Sequence, residues 1–168
     1  LGVQCIRDPE GLPLGTAGPL GLIPGRDGTI IVFNTDIFCP ALELSEMVAW
    51  HEKHQAAITI GYRVESNRVP YGVIDLSESG QVRGVEEKPL HTFPVAGGIY
   101  VLDLALIGDL LPADPAPLTM PELVGACLDS DRTCIGYELA EPWIDLGTPE
   151  RLAEATTYML STRRGAGT

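Results

Sequence analysis

The stretch TIIVFNTD, residues 29–36, decides the predicted fold class. Its core is apolar on both faces, which is typical of a strand buried inside a parallel sheet. The strand stops at Thr35 and Asp36. Because strand and helix patterns alternate on both sides of it, we predict an α/β, Rossmann-like fold with a mixed, mainly parallel sheet.

Working outward from this strand, apolar periodicity and capping residues predict the other elements. Before it we expect a strand at Val3–Ile6 and a short helix around Ala17–Leu22. After it we expect, in order, a helix from Leu42 to about His54, a strand at Ala56–Val64, a hairpin at Pro70–Pro89, a strand at Gly97–Asp103, helices at Leu104–Leu111 and Met120–Asp129, a strand at Thr133–Leu139, an extended piece at Trp143–Gly147, and a helix from Pro149 to about Leu160.

Length and composition indicate one globular domain, which we place at residues 1–160 with a frayed tail at 161–168. The chain has 168 residues, of which 45% are apolar and 20% charged. Its 23 acidic and 11 basic side chains give a formal charge of −12. Binding to nucleic acid or to an anionic membrane needs a basic face, so we expect neither. A small phosphorylated ligand remains compatible with this charge, because one Lys, a cation and backbone N–H groups can hold it.

The four cysteines, Cys5, Cys39, Cys127 and Cys134, show no C-x-x-C spacing. We interpret them as free thiols in a reducing cytoplasm, with a disulfide pair as the alternative. The sequence shows no run long enough for a membrane span and no signal-peptide pattern. We therefore predict a cytoplasmic protein.

Two aspartates end apolar strands where ligands of open α/β sheets bind. Asp36 follows the strand quoted above, and Asp145 lies in the strand-to-helix turn before Gly147 and Thr148. Carboxylates at such positions can hold Mg²⁺, which usually takes one or two protein carboxylates and completes its shell with water and phosphate oxygens. The alternative is that both are turn or cap residues.

The ends of the Pro70–Pro89 hairpin carry chemistry that a hairpin does not need. Gly72 interrupts a β-branched strand, which indicates a bulge or a close approach by another group. Adjacent side chains on a strand point to opposite faces, but Pro89 ends the strand, and irregular backbone there would let Glu87 and Lys88 reach one site. Glu87 can accept hydrogen bonds from vicinal hydroxyls and Lys88 can bind a phosphate. The alternative is a surface ion pair, worth about 0–1 kcal/mol.

Two further groups are weaker candidates. Gly15 and Thr16 open a Gly-rich turn that leads into a helix, where free N–H groups could read a base edge or bind an anion. His51 and His54 lie three residues apart on the Leu42–His54 helix, which is not the i, i+4 spacing of a metal site. We expect both histidines on a solvated face.

Six stretches, in this order, resemble the sugar-1-phosphate nucleotidylyltransferases, the family of mannose-1-phosphate guanylyltransferase and glucose-1-phosphate thymidylyltransferase. They are PLGTAGPL, IIVFNTDIF, VPYGVIDL, VEEKP, AGGIYVL and WIDLGTPE, and they span Leu14 to Glu150. Each stretch alone is a weak signal, whereas six in order form a specific one. The stretch VEEKPLHTFPVAGGIYVLD is most similar to the mannose-1-phosphate guanylyltransferase-like branch.

This resemblance implies a reaction and a set of roles. A sugar-1-phosphate and a nucleoside triphosphate would give an NDP-sugar and pyrophosphate, with Mg²⁺ as cofactor. Asp36 and Asp145 would hold the metal as catalytic residues. Lys88 would grip the sugar phosphate as a third catalytic residue, and Glu87 would bind the sugar hydroxyls. The other expected substrate contacts are Gly15, Thr16, Gly72 and Gly98.

Three departures from the family pattern limit what is carried over. Thr35 stands where the family usually has Gly, and Ala96-Gly97-Gly98 stands where many members have Asn-Ala-Gly. The Gly-rich, Arg-containing phosphate loop of the family is absent from these residues. We therefore expect an N-terminally incomplete domain of the nucleotide-diphospho-sugar transferase type, about the C-terminal two-thirds, that needs a missing segment or a homo-oligomeric partner.

Two other functions remain open on these grounds. The departures are compatible with a non-catalytic regulatory subunit that keeps a sugar-phosphate or nucleotide-sugar site. A nucleotide-sugar-dependent glycosyltransferase has a related fold, but such enzymes commonly bind their metal through Asp-x-Asp. The strand here ends in Asn34-Thr35-Asp36, so this interpretation ranks last.

Overall fold

A computed structural model describes residues 7–25, 27–139 and 142–165. The strand predicted at Val3–Ile6 lies outside these residues. The elements in chain order are a 3-10 helix (Gly18–Leu22), β1 (Thr29–Phe33), β2 (Ile37–Phe38), α1 (Leu44–Lys53), β3 (Ile58–Arg68), β4 (Gly72–Leu76), β5 (Val82–Glu87), β6 (Leu90–Asp103), α2 (Leu104–Ile107), α3 (Met120–Asp129), β7 (Cys134–Glu138), β8 (Ile144–Asp145) and α4 (Pro149–Gly165).

The main sheet has four described strands in the order β1-β6-β3-β7. β6 pairs antiparallel with both β1 and β3, and β7 pairs parallel with β3. The prediction of an α/β fold with a mixed sheet is confirmed, but among the described strands the antiparallel pairings prevail. Apolar residues on both faces of β1 predict flanking layers, and they carry no information about the direction of the neighbouring strand.

Helices pack on both faces of this sheet. Adjacent residues of β6 belong to different cores: Leu102 packs in a cluster with Leu123 of α3, and Val101 packs in a cluster with Met47 of α1. Side chains of successive strand residues point to opposite faces, so the two clusters lie on opposite sides of the sheet. The molecule therefore has the three-layer arrangement in which strand ends carry the functional groups.

Two small antiparallel sheets complete the fold. β4 and β5 form the predicted hairpin, which is exposed along both strands and makes its main contacts within itself. β2 pairs with β8 and thereby joins segments that are far apart in the sequence. This second pairing was not predicted, because nothing in two short strands specifies the partner.

Helix ends follow the local sequence closely in one case and depart from it in another. Thr119 and Glu122 form the predicted capping box at the start of α3. The last helix continues to Gly165, so the tail predicted as frayed from residue 161 is helical over its described part. The earlier end was expected because the first and last residues of domains are often poorly ordered.

The remaining predictions of environment are partly confirmed. Cys39, Cys127 and Cys134 are thiols, whereas Cys5 lies outside the described residues. None of the helices in the described part of the chain is both long enough and apolar enough to cross a membrane. The prediction for His51 is wrong: its side chain is buried, and Nδ1 lies 2.8 Å from the Thr59 hydroxyl.

Candidate active site

Asp36 and Asp145 come together through the pairing of β2 with β8. Ile37, directly after Asp36, is the register partner of Asp145. The Leu146 N–H also donates to the Asp36 carbonyl at 2.6 Å. Both aspartates are exposed, so their carboxylates are open to solvent.

The local turn orients the Asp145 carboxylate. Its Oδ1 accepts a hydrogen bond from the Gly147 N–H at 2.8 Å, within the turn that leads into α4. Thr148 accepts from the Arg151 N–H at 3.3 Å and thereby caps that helix. Asp145 is therefore held by the turn, while Thr148 supplies the helix cap.

This donor set fits a magnesium ion. Mg²⁺ binds through one or two carboxylates and keeps water and phosphate oxygens in its other positions. Two exposed carboxylates on paired strands supply that number of ligands. Among the described residues, no group of three or more His, Cys, Asp or Glu side chains is arranged as a metal cage. A metal held by these two carboxylates would need its other ligands from water or a bound substrate.

Gly98 lies next to these strands and is in close contact with Asn34. Its φ is +72°, which favours glycine, and an added Cβ would lie 2.9 Å from Asn34 Nδ2. The Asn34 N–H donates to the Gly98 carbonyl at 2.9 Å, and the Asn34 carbonyl accepts from Ile37 N–H at 3.2 Å. Asn34 thus connects Gly98 to the Asp36 turn. The sequence analysis did not single it out, although it directly precedes Thr35 and Asp36.

The segment before β8 is anchored by Trp143. Its indole N–H donates to the Gly97 carbonyl at 2.9 Å. The guanidinium of Arg63, on β3, lies over the Trp143 ring with its carbon 4.7 Å from the ring centroid. The segment that leads into β8 is therefore attached to the main sheet two residues before Asp145.

Gly72, Glu87 and Lys88 form a second cluster at the base of the hairpin. Gly72 is the register partner of Glu87, and a Cβ on Gly72 would lie 3.1 Å from Glu87 Oε2. Lys88 has a φ of +50°, which breaks the strand alternation. Its Nζ lies 3.7 Å from Glu87 Oε1, with both side chains largely exposed. The two charged groups therefore form an exposed ion pair, which is the alternative stated above, and a shared substrate site at Glu87 and Lys88 stays a prediction.

The backbone of the hairpin base is also fixed. The Lys88 N–H donates to the Tyr71 carbonyl at 3.2 Å, and Arg68 Nη1 donates to the Lys88 carbonyl at 3.1 Å. β6 begins at Leu90 and runs from here to Gly98. Apart from Gly15 and Thr16, the candidate residues thus fall into two clusters, one at β2–β8 and one at the hairpin base.

The expectation of free N–H groups after Gly15 is wrong. The N–H groups of Ala17 and Gly18 both donate to the Leu118 carbonyl, at 2.9 and 3.0 Å. Thr16 Oγ1 accepts from the Met120 N–H at 2.8 Å, at the first turn of α3. A Cβ on Gly15 would lie 2.8 Å from the Leu118 carbonyl oxygen. This turn packs the chain against the start of α3, and a substrate contact of Gly15 or Thr16 stays a prediction.

Comparison with known proteins identifies the family of this chain. A model of the family described as nucleotidyl transferase matches residues 2–162. The chain belongs to the nucleotidyl transferase family. Its resemblance to the sugar-1-phosphate nucleotidylyltransferases is confirmed at the level of relatives, which include mannose-1-phosphate guanylyltransferases.

Two curated relatives illustrate the degree of similarity. A mannose-1-phosphate guanyltransferase of Schizosaccharomyces pombe is 31% identical over 164 residues, covering 92% of this chain and 44% of the relative. A mannose-1-phosphate guanylyltransferase of Mycobacterium tuberculosis is 30% identical over 155 residues, covering 89% and 43%. The chain therefore spans less than half the length of these nucleotidyl transferase relatives.

Solved structures show the same fold. HddC from Yersinia pseudotuberculosis superposes with a TM-score of 0.58 at 21% identity, covering 89% of this chain and 64% of HddC. The structure of HddC complexed with GMP-PN superposes with a TM-score of 0.56 at 20% identity and the same coverage. At this identity, the likeness supports the nucleotidyl transferase fold alone.

Proposed function

We propose that this chain supplies the sugar-phosphate and metal side of a sugar-1-phosphate nucleotidylyltransferase. The observation that carries the proposal is the β2–β8 pairing, which places the exposed residue Asp145 of β8 opposite Ile37, directly after the exposed Asp36, in a chain of this family. Catalysis of such a transfer depends on positioning the phosphates and neutralising their charge. Two carboxylates that share a metal ion can support both.

The proposed reaction joins a nucleoside triphosphate to a hexose-1-phosphate. A phosphate oxygen of the sugar-1-phosphate attacks the α-phosphorus, a new P–O bond forms, and the bond from the α-phosphorus to the bridging oxygen breaks. Pyrophosphate leaves with that oxygen and the electron pair. Asp36 and Asp145 would hold Mg²⁺, which when bound neutralises the phosphate charge.

The hairpin base would bind the sugar phosphate. The Lys88 ammonium provides a point charge for the phosphate, and the Glu87 carboxylate can accept hydrogen bonds from sugar hydroxyls. The ion pair between them, 3.7 Å apart and exposed, contributes little energy and is easily exchanged for substrate contacts. Gly72 leaves the backbone accessible beside Glu87. Gly98, Gly15 and Thr16 complete the proposed set of substrate contacts.

GTP and mannose-1-phosphate are the first pair to test. The named relatives are mannose-1-phosphate guanylyltransferases, and a fold neighbour was solved with GMP-PN. Other hexose-1-phosphates and dTTP follow, because Ala96 stands where many members have the Asn that contacts the sugar. The thiols Cys39, Cys127 and Cys134 suit a reducing compartment such as the cytoplasm.

The test is pyrophosphate release by the full-length protein with Mg²⁺ and this substrate panel. We expect Asp36→Asn and Asp145→Asn each to lower kcat/KM by about 100-fold or more, because each removes a carboxylate that would hold the Mg²⁺ that neutralises the phosphates. Asp129→Asn, at the exposed end of α3, is the matched control and should retain wild-type turnover. The proposal is wrong if no substrate pair gives pyrophosphate, or if the two carboxylate variants match the control.

Titration calorimetry separates this enzyme from a non-catalytic subunit. Micromolar binding of sugar-1-phosphates or NDP-sugars without turnover would favour the regulatory alternative. Binding together with turnover would favour the enzyme.

A further inference from the structure

Arg63 contacts Trp143, the residue directly before β8, which carries Asp145. Its guanidinium carbon lies over the Trp143 ring, 4.7 Å from the ring centroid, and Nη1 donates to the Trp143 carbonyl at 3.4 Å. The planar guanidinium is suited to both contacts, since it can stack on an aromatic face while its N–H groups point outward. One side chain of β3 thus holds both the ring and the backbone of the residue that precedes β8.

Trp143 is fixed on a second side by β6. Its indole N–H bonds to the Gly97 carbonyl at 2.9 Å. A Cβ on Gly97 would lie 2.3 Å from Leu139 Cδ1 and 3.1 Å from Trp143 Nε1, so the ring packs directly on the glycine backbone. Because Trp143 is held from β3 and β6, the start of β8 has little freedom to shift.

The orientation of Arg63 is determined by these neighbours. Nη2 bonds to Glu65 Oε1 at 2.6 Å, while Nε, among the described residues, is buried without a hydrogen-bond partner. Burying an unsatisfied donor carries a free-energy cost. Arg63 keeps this orientation despite that cost, which indicates that the contacts with Trp143 and Glu65 hold it in place.

We propose that Arg63 is a positioning residue that fixes Asp145 for metal binding through Trp143. The inference rests on the proposed function, since it assigns Arg63 to the metal side of the same site. Arg63 contacts neither carboxylate directly. It acts by fixing the backbone two residues before Asp145, whose pairing with Ile37 then sets the distance to the Asp36 turn.

The test is Mn²⁺ binding to the full-length protein, followed by electron paramagnetic resonance without nucleotide, together with the Mg²⁺ dependence of pyrophosphate release. We expect Arg63→Gln to weaken Mn²⁺ binding by about tenfold and to raise the half-saturating Mg²⁺ concentration by the same factor. This is the lower end of the effect typical of residues that orient metal ligands. Arg63→Lys keeps a cation over the ring and should recover part of this loss. It also serves if the Gln variant does not fold.

Arg132→Gln is a closely matched control. Arg132 also pairs with a carboxylate at 2.6 Å, that of Asp109, and its side chain is 22% exposed against 18% for Arg63. It lies in the turn before β7, where Nη1 donates to the Leu106 carbonyl. We expect Arg132→Gln to lower Tm while leaving Mn²⁺ affinity unchanged.

The possible outcomes separate the two proposals. Weaker Mn²⁺ binding in Arg63→Gln but not in Arg132→Gln supports the positioning role. Equal Mn²⁺ affinity in wild type and Arg63→Gln, with Tm lowered as in the control, overturns it. Specific Mn²⁺ binding without pyrophosphate release from any substrate pair overturns the proposed enzyme alone, because the Arg63 comparison still applies to metal binding.

Discussion

At the scale of single residues, the backbone of Gly97 is packed so closely by Leu139 and Trp143 that no side chain fits there. We expect Gly97→Ala to lower the free energy of unfolding by about 1–3 kcal/mol, the usual cost of overpacking. The reason is the 2.3 Å approach of a new Cβ to Leu139 Cδ1, a buried side chain with little room to move. Urea unfolding measures the change.

Gly125→Ala is the matched control for this substitution. It lies within α3, and a Cβ there would meet no atom within 4 Å. Alanine has the higher helix propensity by up to about 1 kcal/mol, so this variant should be as stable as wild type or more stable. Equal destabilisation by both changes would mean that packing around Gly97 is not the cause.

The sequence allowed some of the candidate residues to be predicted and not others. Asp36 and Asp145 were identifiable because each ends an apolar strand, a signal that is local in sequence. The free N–H groups expected after Gly15 were not found, because their partner, the Leu118 carbonyl, is far away in the chain. Arg63 was missed for a similar reason: its importance depends on Trp143, which no local pattern connects to it.

At the scale of elements, the packing of α1 on β3 makes stability depend on pH. Burial lowers the pKa of His51 from its ordinary 6.5, and the nearby Asp103 and Glu52 carboxylates offset part of this effect. The unfolded chain therefore binds a proton at His51 before the folded chain does. The contribution of His51 to the free energy of unfolding is fully present above pH 6.5. It is lost as the pH falls from there through the lower pKa of the folded state, by at most about 1.4 kcal/mol per pH unit.

Replacing the imidazole tests this linkage. In His51→Gln, we expect the decrease in unfolding free energy between pH 7 and about pH 5 to be smaller than in wild type, because one titrating group is gone. His54→Gln, at the exposed C-cap of α1, is the control. Denaturant unfolding at several pH values gives the slopes. Identical slopes in wild type and His51→Gln would disprove the contribution of His51.

Element boundaries were predictable where the determining chemistry is local. The capping box at Thr119 involves residues three apart, and α3 begins where those residues predict. The direction of strand pairing was harder to predict. β1 was expected in a parallel setting, and its described partner β6 runs antiparallel, because β3 runs in the same direction as β1 and the chain returns along the sheet in β6 after the hairpin.

At the scale of the whole molecule, β1 forms one edge of the main sheet. β1 ends the strand order, so its outer edge has no partner among the described strands. Ile31 is 41% exposed and Phe33 is 40% exposed. An uncovered apolar edge is a template for pairing with another chain.

We therefore expect the 168-residue chain, expressed by itself, to associate as its concentration rises. The formal charge of −12 opposes association, so added salt should strengthen it. Ile31→Lys should weaken it, because a charged edge residue disfavours strand pairing. Sedimentation velocity over a range of concentrations measures the effect.

Leu152→Lys controls for the loss of an exposed apolar side chain. Leu152 is 53% exposed and lies on α4, where the backbone groups are bonded within the helix. If Leu152→Lys reduces association as much as Ile31→Lys, general surface hydrophobicity is responsible and the β1 edge is not.

The β2–β8 pairing has a consequence for the order of folding. Contacts between distant parts of a chain form only after a large loss of chain entropy, and they are typically late steps. Asp36 and Asp145 should therefore become neighbours only when the segments between them have already folded. A divalent cation that binds both would act on the last contact to close and would slow its reopening. The fraction of molecules that bind metal would then report the fraction in which folding is complete.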